Sequence, residues 1–70
     1  MKKTNDLTMR EKQVLELVAR NLSNNEIAKE LYISLSTVKS HISSIIFKLN
    51  ANGRVQATAS AIKMGIISCE

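Results

Sequence analysis

With 70 residues, the chain is long enough for one domain and close to the lower limit for a core without disulfides or metals. The single cysteine, Cys69, cannot form an internal disulfide and has no partner at metal-binding spacing, which excludes a zinc site and favours a reducing, cytoplasmic location. A net charge of +4 favours an anionic partner, while 44% hydrophobic residues, no proline and two glycines indicate an all-α fold rather than disorder or a β-barrel.

The start of the chain is not expected to be a targeting segment. No apolar run follows the opening MKKTND, so we expect no signal peptide, and no stretch reaches the length of a membrane span. We expect a flexible arm over 1–6, one domain over 7–67 and a short tail over 68–70.

The first two predicted helices begin with the same device. Thr8 followed by Glu11, and Ser23 followed by Glu26, match the capping box, in which the cap hydroxyl and a carboxylate three residues later satisfy each other's backbone amides. Asn21 follows the first helix where a left-handed residue would end it. The second helix is expected to end near Leu31.

The third predicted helix begins at Ser34, and Thr37 occupies the position where the first two helices have a glutamate. A carboxylate there would favour the helix dipole but would repel a phosphate group, so its absence suits a helix start that lies beside phosphates. Asn50 is expected to end this helix in the left-handed conformation.

Helical periodicity sorts the third helix into two faces. The expected buried stripe consists of Val38, Ile42, Ile45 and Leu49, flanked by Leu35, His41 and Ile46. The opposite face carries Ser36, Lys39, Ser40, Ser43 and Phe47, with Thr37 and Ser44 at its edge. Serine is a mediocre helix former, so a serine-rich face indicates contact with a partner rather than simple solvation.

The fourth predicted helix, from Arg54 to about Met64, is apolar on two sides. One side carries Val55, Ala59, Ile62 and Ile66, and the other carries Ala57, Ala61 and Met64. One side can cover the core, and we expect the side with Ala57, Ala61 and Met64 to meet a second copy of the chain.

Charge is distributed unevenly along the chain. No acidic residue lies between Leu31 and Cys69, whereas that stretch contains Lys39, Lys48, Arg54 and Lys63. An unopposed basic half indicates nucleic acid or another acidic surface as the partner.

The second and third helices together predict a helix-turn-helix over about residues 23–43. They are separated only by Tyr32, Ile33 and Ser34, and small Ala28 lies where two crossing helices approach closely. A helix of this kind fits the major groove of DNA, which is about 12 Å wide, and short hydroxyl side chains let its backbone approach the base edges.

Four stretches resemble the LuxR-type (LuxR/FixJ, GerE-like) DNA-binding domain of bacterial transcription regulators, the output domain of many response regulators. They are LTMREKQVLELVA, LSNNEIAKELYIS, STVKSHISSIIFKLN and GRVQA, and together they cover residue 7 to about 67. The resemblance implies an all-α, four-helix bundle with a recognition helix over 35–49, a fourth helix that forms a homodimer, and binding to an inverted repeat. It also implies double-stranded DNA as partner, RNA polymerase as a further partner, and no cofactor or metal.

The resemblance also implies roles for single residues. Base contacts are expected from Lys39, Ser40 and Ser43, phosphate contacts from Asn24, Asn25, Ser36, Thr37, Lys48 and Arg54, and dimer contacts from Ala57, Ala61 and Met64. Asn21 and Asn50 replace glycines that are common in the family, which the left-handed conformation tolerates. Ser43 stands where some relatives have a basic residue, so the DNA sequence recognised stays open.

Two residues of the third helix have competing interpretations. His41 lies beside the buried stripe, which favours a structural role over a base contact. Phe47 points outward by periodicity; packing under the fourth helix is favoured over contact with polymerase or another partner.

Two other classes of protein compete with a DNA-binding regulator. The first is a protein-interaction module that docks through Phe47 and the fourth helix, and the second is a sigma-type polymerase fragment. An enzyme is not expected, because the sequence has no paired carboxylates, no Cys–His pair and no glycine-rich phosphate loop.

Overall fold

A computed structural model describes residues 7–67, which form four helices and no strand. The helices are α1 (Met9–Ala19), α2 (Asn24–Leu31), α3 (Leu35–Lys48) and α4 (Arg54–Lys63). The all-α, four-helix prediction is confirmed, and the last helix ends one residue before the expected Met64. The arm expected over 1–6 and the tail over 68–70, which includes Cys69, lie outside the described residues.

The first three helices begin as the sequence predicts. The Thr8 amide donates to Glu11 Oε1 at 2.9 Å while the Glu11 amide donates to Thr8 Oγ1 at 3.1 Å. Ser23 and Glu26 form the same pair at 2.7 and 3.2 Å. At the start of α3, the Thr37 amide donates to Ser34 Oγ at 3.1 Å, without any carboxylate in the first turn. Each cap satisfies a backbone donor that the helix itself leaves unpaired.

Each of the four described helices is followed by a residue in the left-handed conformation. These residues are Asn21 (φ 71°), Tyr32 (φ 58°), Asn50 (φ 54°) and Gly65 (φ 77°). The amide of the next residue then donates to a carbonyl five residues earlier, as Leu22 does to Leu17 at 3.1 Å, which is the Schellman motif. The two asparagines are confirmed in this role. Tyr32 was not foreseen, because an L-residue pays about 1–2 kcal/mol to adopt this conformation.

The core lies around α3, which packs against the other three helices. Its buried members are Leu7, Val14, Leu15, Ile27, Ala28, Val38, Ile45, Leu49, Ala57, Ala61 and Ile67. The expected stripe of α3 is buried at Val38, Ile45 and Leu49, whereas Ile42 is half-buried against the core. His41 is half-buried beside this stripe. The stripe thus anchors α3 and leaves its serine-rich face outward.

The two sides of α4 are reversed relative to the expectation. Ala57 and Ala61 have no exposed area and belong to the core, so they cannot meet a second copy, whereas Val55 is 81% exposed. Met64, from the same predicted set, is 48% exposed. Alanine lacks the bulk that would hold two helices apart, so the side with small residues is the one that can approach α1 and α3 closely.

Phe47 does not pack under α4, and that interpretation is wrong. Its side chain is 84% exposed near the end of α3. The helical periodicity of α3 continues to this point, so Phe47 stays on the side opposite Val38 and Ile45, whereas α4 packs on the core.

Candidate nucleic-acid interface

The helix-turn-helix is formed by α2, a short turn and α3. Ile27 and Val38 have no exposed area, and Ala28 is 9% exposed, so the two helices meet through small and branched apolar side chains. In the turn, the left-handed Tyr32 lets the Ile33 amide donate to the Ala28 carbonyl at 3.0 Å. The turn therefore joins α2 to α3 within three residues.

The outward face of α3 has the predicted composition and is exposed. Lys39, Ser40 and Ser43 are all exposed, and they line one open surface hollow together with Ser36 and Leu35. These groups offer one flexible cation and three short hydroxyls that can donate or accept hydrogen bonds. No carboxylate lies on the face. The structure thus brings the three predicted base-contact residues together on one surface.

The start of α3 presents a second set of hydroxyls. Ser36 is exposed, whereas Thr37 is half-buried and its Oγ1 lies 2.8 Å from Ser34 Oγ. Thr37 therefore takes part in the cap, and Ser36 is the more accessible hydroxyl. With no acid in its first turn, the positive end of the α3 dipole is left unopposed by a side-chain charge.

A hydrogen bond joins the starts of α2 and α4. Arg54 Nη1 donates to Asn24 Oδ1 at 3.0 Å, and both residues are half-buried. The neighbouring Asn25 is exposed. Three of the predicted phosphate contacts thus lie around one junction, where a guanidinium and two amides can meet an anion.

Lys48 lies in a different environment from the other predicted phosphate contacts. Its Nζ donates to Glu11 Oε1 at 2.8 Å, and the Ser44 hydroxyl donates to Glu11 Oε2 at 2.8 Å. This interaction links the start of α1 to the end of α3. Sequence reasoning assigned Glu11 to the capping box and Lys48 to phosphate, and no local signal connects residues 37 positions apart.

The environment of Glu11 changes its protonation. Burial by itself raises the pKa of this carboxyl, but hydrogen bonds from Lys48, the Thr8 amide and Ser44, together with the positive charge of Lys48, outweigh that effect and lower the pKa below its ordinary value. A lowered pKa in the folded state means that Glu11 contributes stability above its ordinary pKa. That contribution is lost as the pH falls through the lowered value.

The described part of the chain contains neither a cluster of metal-binding side chains nor a membrane-spanning helix. Residues 7–67 contain no group of three or more His, Cys, Asp or Glu side chains that could hold a metal ion. None of the four helices is long and apolar enough to cross a membrane.

Comparison with known proteins identifies the family. Residues 5–61 match the family model GerE, described as bacterial regulatory proteins of the luxR family. The spore germination protein GerE of Bacillus subtilis (strain 168) is 46% identical over 59 residues, which cover 84% of this chain and 80% of that protein. The transcriptional regulatory protein DegU of Brevibacillus brevis is 49% identical over 59 residues, but the match covers only 25% of its length.

The fold gives the same result. A solved structure of the transcription factor GerE superposes with a TM-score of 0.89 at 36% sequence identity, covering 99% of this chain and all of that one. The response regulator VraR of Staphylococcus aureus (strain NCTC 8325 / PS 47) is 43% identical over 61 residues, again over only 29% of its length. The chain therefore belongs to the luxR family of bacterial regulatory proteins and forms the helix-turn-helix DNA-binding domain of a transcription regulator.

Proposed function

We propose that α3 enters the major groove of double-stranded DNA and that two copies of the domain bind an inverted repeat to regulate transcription. The observation that carries the proposal is the exposed face of α3, where lysine and short hydroxyls occur without a single carboxylate. Such a face can approach base edges closely and meets no repulsion from phosphates.

Base readout is assigned to Lys39, Ser40 and Ser43. Lysine can donate to the O6 and N7 atoms of guanine, and serine can pair with more than one base edge. Because two of the three readers are serines, we expect Lys39 to supply most of the discrimination between bases. The serines mainly let the helix lie deep in the groove.

Phosphate contacts are assigned to the helix starts. Ser36 and Asn25 are exposed there, and Arg54 with Asn24 offers a second donor group near the start of α2. Thr37 contributes through its hydroxyl, which can accept from Ser34 Oγ and donate to a phosphate, because its backbone amide already donates to Ser34 Oγ. Lys48 is left out of this set, because its ammonium group is paired with Glu11.

The homodimer is assigned to the outward side of α4. Val55, Ala59 and Ile62 are exposed there, and they line an apolar groove with Val18 and Leu22. Symmetric dimers use the same surface on both copies, and an inverted repeat has the matching two-fold symmetry. This surface replaces the buried Ala57 and Ala61 in the dimer contact.

Two further features of the regulator are proposed from its composition and its resemblance to the family. It would act in the cytoplasm, where its DNA is, and it would contact RNA polymerase when it activates a promoter. Phe47 is an exposed aromatic residue outside the hollow formed by the readers, so it is available for such a contact.

Selection of bound duplexes from random DNA tests the proposal. We expect enrichment of a two-fold symmetric motif, and an affinity that falls steeply as salt rises, because bound phosphates release counterions. Enrichment of an asymmetric motif would contradict the dimer, and the absence of any enriched motif would contradict specific binding.

A protein-docking module is the second candidate function, and the exposed Phe47 favours it. This candidate predicts no measurable DNA affinity even at low salt.

A further inference from the structure

Glu11 is a buried charged residue that the proposed DNA contacts leave unused. Its exposed fraction is 5%, which makes it the buried acidic residue of the described chain. Three donors converge on its carboxylate: the Thr8 amide from the start of α1, and the Ser44 hydroxyl and Lys48 ammonium from α3. All three distances lie between 2.8 and 2.9 Å.

The two donors on α3 are one turn apart. Residues separated by four positions lie on the same side of a helix, so Ser44 and Lys48 form a pair of attachment points along the helix axis. Each oxygen of the carboxylate takes one of them, Oε2 from Ser44 and Oε1 from Lys48. A rotation of α3 about its own axis would break both hydrogen bonds, whereas an apolar contact would tolerate it better.

We propose that the Glu11–Ser44–Lys48 network is a positioning device for the recognition helix. It fixes the rotation of α3 relative to α1, and therefore the direction in which Lys39, Ser40 and Ser43 point. The inference rests on the proposed insertion of α3 into the major groove. Ser44 directly follows Ser43, so the network holds the helix next to a proposed reader without occupying the face that meets the bases.

Stability alone gives little reason for this arrangement. An ion pair with a buried partner often contributes no more than an apolar pair of similar size, because the buried charge, here that of Glu11, loses its hydration. An acid near a DNA-binding helix also opposes DNA electrostatically. Directional hydrogen bonds, by contrast, specify a single geometry, and that is what a recognition helix requires.

Glu11→Leu separates positioning from electrostatics, because it removes the charge and the hydrogen bonds together and the two effects have opposite signs. Removal of a negative charge should strengthen binding to every duplex if charge alone matters. If Glu11 positions α3, the affinity for the selected site should fall by about tenfold, comparable to one mismatched base pair, while the affinity for an unrelated duplex is kept or rises. Both affinities are measured at a temperature where circular dichroism shows the variant folded.

Glu16→Gln is the matched control. Glu16 is an exposed acid on the same helix, so this variant loses the same charge but leaves the network intact. Its ratio of specific to unspecific affinity should equal that of the wild type. Ser44→Ala removes a single hydrogen bond and is the variant to use if Glu11→Leu does not fold; it should lower the ratio in the same direction by a smaller factor.

Three results would overturn the inference. One is a Glu11→Leu variant that melts earlier but keeps the wild-type ratio, which would leave Glu11 a purely structural role. Another is a Lys48→Met variant that binds all duplexes equally more weakly with a salt slope reduced by about one, which is the behaviour of a phosphate contact. A wild-type chain without any preference among duplexes would refute groove reading itself, before a variant is compared.

Discussion

The outward faces of α3 and α4 are both exposed, and both lie in the stretch between Leu31 and Cys69, which has no acids. On α3 this face consists of Ser36, Lys39, Ser40 and Ser43, whereas on α4 it consists of Val55, Ala59 and Ile62. The face of α3 can form hydrogen bonds and an ionic contact. The face of α4 stabilises a complex only through burial of its apolar area, by about 25 cal/mol for each Å² removed from water. Exposure thus marks both surfaces, and their chemistry distinguishes a DNA partner from a protein partner.

The two faces also differ in how closely a binding partner must fit them. Short polar side chains lose little conformational freedom on binding, so the α3 face can lie against a wet groove. The apolar face of α4 must instead fit another apolar surface closely. A negative charge should therefore weaken binding at the two faces for different reasons. On α3 it would repel the phosphates of DNA, and on α4 it would lose its hydration when the apolar surfaces meet.

The largest effect is expected for Ser40→Glu. A carboxylate on the face of α3 would meet the phosphates and the acceptor-rich base edges, and like charges placed together cost several kcal/mol. Electrophoretic mobility shift should show loss of binding to every duplex. Gln13→Glu, an exposed site on α1 with the same change in charge, should bind almost as the wild type does; equal losses in both variants would mean that net charge, not the face, controls binding.

Val55→Glu should come next. Val55 is 81% exposed in one copy, so the fold should survive, but a buried charge would disrupt the proposed dimer. We expect affinity for the inverted repeat to fall by about 100-fold as avidity is lost, with half-site affinity unchanged. Sedimentation on the DNA should show one bound copy where the wild type has two.

The control for the dimer prediction is Gln56→Glu, which adds the same charge at the next exposed position of α4. It also keeps the oxygen that accepts from the Asn52 amide. Two bound copies should persist in this variant. If Val55→Glu still binds as a pair, then the apolar side of α4 is not the dimer contact.

The smallest of the three effects is expected for Lys39→Ala. Loss of a base contact should weaken binding by about 1–3 kcal/mol and relax the preference at one base position, as measured by competition with single-base variants of the selected site. Lys63→Ala removes an exposed lysine from α4 and should leave that preference intact. A uniform loss across all sequences in Lys39→Ala would assign Lys39 to phosphate instead of a base.

Local signals in the sequence predicted the local structure well. The capping boxes at Thr8 and Ser23, the cap at Ser34 and the left-handed Asn21 and Asn50 all depend on residues within a few positions of one another. The two faces of α3 follow from its periodicity in the same way. The roles of Lys39, Ser40 and Ser43 toward bases stay predictions, since the sequence and the fold only bring them to one surface.

Errors arose where distant parts of the chain meet. The sequence shows two apolar sides on α4, and only the close approach of α4 to α1 and α3 selects the small Ala57 and Ala61 for the core. Phe47 was expected to pack under α4, but its side chain is 84% exposed.

The sequence by itself determined the four helices, their ends and the acid-free face of α3, because hydrogen bonding and periodicity act over short separations. Tertiary structure alone decided which side of α4 is exposed and which cation reaches Glu11. The Lys48–Glu11 pair joins residues 37 positions apart at 2.8 Å, and such a contact exists only after α1 and α3 have packed. Helix packing depends on how the side chains of different helices fit together, and these residues are far apart in the sequence, so no local pattern predicts it.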